Sequence, residues 1–397
     1  MEAGDRPAMS FEDQWSANEE RLLREAGSLG ELLERIKGLF SPLLIRGRGW
    51  ERLVERAGDL PPTLAGFPLW LGFPLDDSRP AADIGVSLVG GTRSAAFFVN
   101  RGRSGNADPA AVGIASLLGE TGPEESPLRR VVGDRVLLEY DIDSTQPTHG
   151  DTGIFLYPIR PTLTGDRTGQ RLPDLGLALD AMNAATRREP DAAERRHVER
   201  AYLALESGAR IGAIGALPSS GEGIRLTMLG FDTAPDVTGF LERAGWPGRP
   251  AMVAAVLSRL ERRRALDHMH LGVHFEVNAG GVGPTLELHV FSQNRMYDQQ
   301  GWFKDKGYWT GLMDGLCAEG LAAPQKLSEL AAWSSGAKTL FGRSGPFVVL
   351  QRIHHFKLVL AEDRVQQVNG YVFLLMCSWA QGQPTNAPAS RRTPAGT

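Results

Sequence analysis

Cysteine is nearly missing: the 397 residues include only Cys317 and Cys377, with no CxxC spacing. A disulfide framework and a thiolate metal site are thereby excluded as organisers of the fold, and a reducing compartment is the expected setting. No run approaches the ~18 uninterrupted apolar residues of a membrane-spanning helix. The acidic, polar start from Met1 to Glu25 has no apolar run behind a basic segment, so a signal peptide is not expected and cytoplasmic is the default reading. An excess of positive charge is also lacking. The formal net charge is -4, which gives no global field for nucleic acid or an anionic membrane. Neither a GxGxxG phosphate loop nor a GxSxG elbow occurs, so dinucleotide binding and Ser-His-Asp hydrolysis have no anchor.

What is present is ordinary globular composition, 42% apolar and 23% charged, in a length that suits one large α/β barrel as well as several smaller domains. Residues 1–10 and 381–397 are rich in Pro, Ala, Gly, Ser and Thr and bury too little apolar surface to order themselves. Between these tails, residues 11–60 read as N-terminal helices and 61–380 as one barrel domain. From Phe11 to Phe40, apolar residues recur at three- and four-residue steps, broken by Gly27 and Gly30, which predicts two helices meeting at that break.

The rest repeats one theme of helix, strand, turn and strand. Hairpins are predicted from Asp83 to Asn100 turning at Gly90-Gly91, Arg135 to Ile159, Arg210 to Leu229, His268 to Phe291 turning at Gly280-Gly281, and Phe347 to Leu375 turning near Glu362-Asp363. Helices are expected between them, including Pro109 to Leu118, Ala192 to Leu205, Pro250 to Leu266 and Pro324 to Trp333. Ten such antiparallel strands can close into a barrel that leaves no sheet edge exposed. A two-layer α+β sandwich is the competing architecture.

Alternation within the strands separates two faces. In the fourth hairpin Met269, Leu271, Val273, Phe275 and Val277 oppose His268, His270, His274, Glu276 and Asn278. The partner strand sets Leu286, Leu288 and Val290 against Thr285, Glu287 and His289. In the second hairpin Val136, Leu138, Tyr140 and Ile142 oppose Glu139, Asp141 and Asp143; in the third, Ile224, Leu226 and Met228 oppose Arg225 and Thr227. If helices cover the outside, the apolar faces meet them and the polar faces look into a shared lumen. A solvated strand face is the alternative for any single hairpin.

Five consecutive α-β-β units with a polar inner face resemble the ABBA prenyltransferase barrel, the fold of aromatic, indole and cyanobactin peptide prenyltransferases. The segment LLEYDIDS followed by TGIFLYPI is similar to the early hairpin of the fungal indole enzymes, which places Glu139 where a strand glutamate accepts the indole N–H. The resemblance implies alkylation of an aromatic or peptide side chain from an allylic diphosphate inside the lumen. Glu139, with Asp141 and His274, would be catalytic. Arg225 and Lys357 would hold the diphosphate, with Mg²⁺ as its companion and no tightly bound cofactor. Tyr157, Phe98 and Tyr371 would wall the allylic cation, and His289, Glu276 and His355 would complete the substrate site.

At the positions where the family carries Lys-x-Tyr patterns, the chain reads Arg225-Leu-Thr227, Glu287-Leu-His289 and Lys357-Leu-Val359. Only two permanent cations are thus counted against Glu139, Asp141, Glu276 and Glu287. That shortage favours a second reading, a non-catalytic accessory protein holding a peptide for another enzyme of a natural-product pathway. The histidines also raise a metal hypothesis. Strand residues two apart stand ~6.5–7 Å apart, so His270 and His274 are too far apart to share an ion without a bulge, and a hydrogen-bonded polar lumen is expected instead. Glu261-Arg262-Arg263-Arg264 reads as a solvated helix end. Tyr297, Trp302, Phe303, Tyr308 and Trp309 form an aromatic stretch suited to core packing or to a lid.

Overall fold

The computed structural model describes residues 11–76, 80–140, 142, 152–166, 171–217, 223–292, 306–334, 336–380 and 383–384. Its strands in chain order are β1 (Leu69–Pro74), β2 (Asp83–Val89), β3 (Arg135–Tyr140), β4 (Thr152–Leu156), β5 (Arg210–Ala216), β6 (Ile224–Phe231), β7 (Met269–Asn278), β8 (Gly281–Val282), β9 (Leu286–Ser292), β10 (Ala337–Gly342), β11 (Gly345–Ala361), β12 (Arg364–Ala380) and β13 (Gln383–Pro384). Ten of them form a ring in the order β11-β9-β7-β6-β5-β4-β3-β2-β1-β12, and β12 pairs back to β11 to close it. A flat sandwich is thereby ruled out, because every ring strand has two bonded neighbours. The short β8, β10 and β13 pair outside the ring, with β7, β11 and β12 respectively.

Helices precede each hairpin and cover the outside. Their ends follow local chemistry. Ser28, Thr92, Asp108, Ser126 and Asp191 each accept a backbone N–H at a helix start, and Thr233 with Asp236 forms a capping box. Proline opens the helices Pro109–Thr121, Pro250–Arg262 and Pro324–Trp333, where its missing N–H costs nothing. Leu71, Val86, Leu138, Ile214, Met228, Phe275, Leu288 and Leu358 join the helices' apolar faces in one continuous buried core. The N-terminal helix Phe11–Glu25 is tied to the far end of the chain: Asn18 Nδ2 donates to the Met376 carbonyl, and buried Glu25 accepts from the Arg343 and Ser344 N–H groups.

The expected first hairpin is corrected. Asp83–Val89 is a strand, but after Gly90-Gly91 the chain enters the helix Arg93–Gly102, capped by Thr92. The pairing partner of β2 is instead β1, a strand that residues 61–82 did not reveal. Phe98 consequently lies on a helix, buried in the outer core, and is not a wall of the lumen. Trp309 packs against Phe356 with centroids 5.6 Å apart, so that end of the aromatic stretch is core; Tyr297, Trp302 and Phe303 lie outside the described residues.

Candidate active site

The inner faces of the ring strands enclose a cavity of about 710 Å³. Glu139, Tyr157, Arg225, His274, His289, His355, Lys357 and Tyr371 all line it, so the barrel brings eight of the eleven expected site residues to one place. Phe98 is excluded by its helix. Asp141 lies outside the described residues. Glu276 sits opposite Arg225 across β6 and β7 but is not part of the cavity wall.

Glycine lets the rings lie flat along that wall. A Cβ at Gly72 would come within 2.8 Å of the Tyr371 ring, and one at Gly215 within 2.2 Å of the Phe155 ring. Backbone irregularities also choose what faces inward. A bulge between Ile353 and His355 turns His354 and His355 both into the cavity, because a bulge sets two residues against one.

Glu287 is the electrostatic centre. Its carboxylate is 3.0 Å from an Arg225 NH₂ group and 3.1 Å from Lys357 Nζ. Burial alone would raise the Glu287 pKa, but Lys357 and then Arg225 outweigh it and hold the carboxyl well below the usual range. Burial would likewise lower the pKa of Lys357, yet the Glu287 carboxylate holds it above the ordinary lysine value. Desolvation pushes His274 well down and His289 down from ordinary histidine, so both rings are neutral at neutral pH. Tyr371, pushed up by burial to about 12, stays a phenol.

These rings form one stacked wall. Centroid separations run 5.7 Å from His274 to His289, 5.0 Å from His289 to His355 and 4.4 Å from His355 to Tyr371, the last pair only 10° from parallel. Lys357 Nζ lies 4.9 Å from the Tyr371 centroid, within cation–π range. Elsewhere in the wall, Glu139 has its pKa raised by burial, against the pull of Lys357 and Arg225. No hydrogen bond or ion pair engages its carboxyl among the described residues.

The two-cation count from the sequence is also corrected, since Arg135 and Arg210 line the same cavity. Arg135 donates to Ser87 Oγ at 2.8 Å and lies over the Tyr157 ring. Extending the alternation of β3 and β5 back to their first residues finds both arginines. Trp70, His354 and Phe291 were missed for other reasons: β1 was not recognised, the bulge breaks strict alternation, and Phe291 reads as an apolar strand end. Chemically, the cavity offers four permanent cations, a carboxylate free to take a proton, and neutral aromatic rings able to face a cation.

No protein-family model matches the chain, and no curated protein matches it. Among solved structures, it is similar to NotF prenyltransferase (12% identity, 94% of this chain and 96% of that one, TM-score 0.48). It is also similar to 6-dimethylallyltryptophan synthase from Micromonospora olivasterospora, solved with DMASPP and Trp (13%, 92% and 97%, 0.44). A third is 5-dimethylallyl tryptophan synthase from Streptomyces coelicolor (16%, 87% and 95%, 0.44). By its own ring closure and its five successive α-β-β units, the chain is an α+β barrel of the ABBA type.

Proposed function

We propose that this barrel transfers a prenyl group from an allylic diphosphate to an aromatic ring, free or carried on a peptide. The observation that carries the reading is the composition of the lumen wall: Arg135, Arg210, Arg225 and Lys357 surround the same cavity as Glu139 and the stack of aromatic rings. Arg and Lys compensate the charge that develops on a departing diphosphate. The bond between the allylic carbon and oxygen breaks, and its electron pair leaves with the diphosphate. The acceptor ring then bonds to the allylic carbon and releases its proton to Glu139, a positioned base. Tyr371, His355 and Tyr157 face the cation meanwhile, each worth roughly 0.5–2 kcal/mol.

A volume of about 710 Å³ falls in the range of small-molecule sites. The shortage of lumen cations was the support for a peptide-holding accessory protein, and Arg135 with Arg210 removes it. Glu287 already partners Arg225 and Lys357, so the diphosphate shares these two cations with a carboxylate and draws its remaining compensation from Arg135 and Arg210.

Calorimetric titration with dimethylallyl, geranyl and farnesyl diphosphates, with and without Mg²⁺, tests the reading. At least one is expected to bind. Arg225→Ala and Lys357→Ala should each weaken it about 10- to 100-fold, the loss of one charge-assisted contact. Absence of heat with all three donors sinks the transferase reading; unchanged affinity in both variants rejects the roles given to these cations. Tryptophan is the first acceptor to try, with product mass as the readout.

A further inference from the structure

The fourth hairpin brings together a group that along-strand spacing kept apart. His270 points to the barrel's edge and contacts Asp232 at 2.8 Å, so it does not join His274. Across the β7–β9 ladder, however, His274 is opposite Glu287 and Gly272 is opposite His289. Neighbouring strands hold facing side chains ~4.5–5.5 Å apart at Cβ, closer than two residues of one strand. One nitrogen of each imidazole and one Glu287 oxygen lie within 4.8 Å of one another. His274 Nδ1 is 3.7 Å and His289 Nε2 3.8 Å from Glu287 Oε2.

All three residues are buried, yet His274 Nε2 and both ring nitrogens of His289 have no hydrogen-bond partner among the described residues. Buried polar atoms are ordinarily satisfied, so unpartnered ring nitrogens in this cluster, beside an open cavity, mark a place built for a ligand. Two imidazoles and a carboxylate are the donor set of Zn²⁺ and non-haem Fe²⁺.

We propose that His274, Glu287 and His289 bind one divalent transition-metal ion, with its remaining coordination positions open to the lumen. The surrounding contacts suit that role. Thr227 Oγ1 lies 2.9 Å from His274 Nδ1, the nitrogen that faces Glu287 Oε2 at 3.7 Å, so the ion takes the place of this hydroxyl at Nδ1. Arg225 takes Glu287 Oε1, which leaves Oε2 toward the histidines. Lys357 is the competitor, since its ammonium shares Oε2 at 3.1 Å; the ion must displace it from that oxygen. This inference does not rest on the transferase reading, because the ion needs no diphosphate.

The test uses the full chain, free of any histidine tag and stripped with a chelator, titrated with Co²⁺ and Zn²⁺ alone. One equivalent of Co²⁺ is expected to give the intense visible bands of a four- or five-coordinate ion. His274→Ala and His289→Ala should each weaken binding at least about 100-fold, whereas Thr227→Val, which removes the hydroxyl from His274 Nδ1, should not weaken it. Lys357→Met should tighten it by removing the rival cation. Thermal melts establish that each variant is folded, and the parent's Co²⁺ spectrum decides the matter if the histidine variants are not. Sub-stoichiometric binding, a spectrum lacking those bands, or affinity unchanged in folded histidine variants overturns the site.

Discussion

Replacing Glu139 with Gln is expected to slow prenyl transfer by about 10² to 10⁴, the usual contribution of a positioned base, while diphosphate affinity stays within a few-fold. The amide keeps the side chain's size but cannot accept the acceptor's proton. The pH dependence follows from the same burial. Because desolvation raises the Glu139 pKa above the ordinary glutamate value of 4.5, the protonated, inactive form persists to higher pH than for a solvated carboxyl. Activity should therefore rise as pH increases through that raised value. The acid limb in kcat/KM should vanish in the variant. A Gln variant within threefold of the parent, or one retaining the limb, would reject Glu139 as the base.

Glu287→Ala should destabilise the fold by about 3–5 kcal/mol, the cost of leaving buried charges without their counter-ion. Arg225 and Lys357 have side chains only 14% and 13% exposed, so little water is available to replace the lost carboxylate. The readout is the urea unfolding midpoint at neutral pH. Converting all three residues together to apolar ones of similar size should return stability close to the parent, since removing a whole buried ion network is often neutral. Glu276→Gln, outside the cavity wall, is the control and should move stability by no more than about 0.5 kcal/mol. A loss below about 1 kcal/mol for Glu287→Ala would show that the two cations have compensation elsewhere.

The inside and outside of most strands were legible from the residues themselves. Leu138 against Glu139, Leu226 against Arg225, and Leu288 against Glu287 and His289 separate cleanly, because successive strand side chains point to opposite faces and only one face meets the apolar helices. Ambiguity arose where short apolar runs fit either element. SAAFFVN after Gly90-Gly91 looks like a return strand, but Thr92 accepts the Ala95 N–H and starts a helix, taking Phe98 out of the lumen. Such runs cannot be separated by periodicity alone.

The sequence by itself determined which residues share the polar face of β3, β6, β7, β9 and β11, among them Glu139, Arg225, His274, His289 and Lys357. Period-two alternation is a local property, carried by each strand without reference to its neighbours. Tertiary structure alone decided that these faces enclose one interior and which of the groups touch. The pairing of Leu69–Pro74 with residues 369–374 closes the ring across some three hundred residues, the bulge at Ile353/His355 adds His354 to the wall, and the β6–β7–β9–β11 register gathers Arg225, His274, His289 and Lys357 around Glu287. Register and ring closure depend on how separate strands align in space, and no spacing within one strand encodes that alignment.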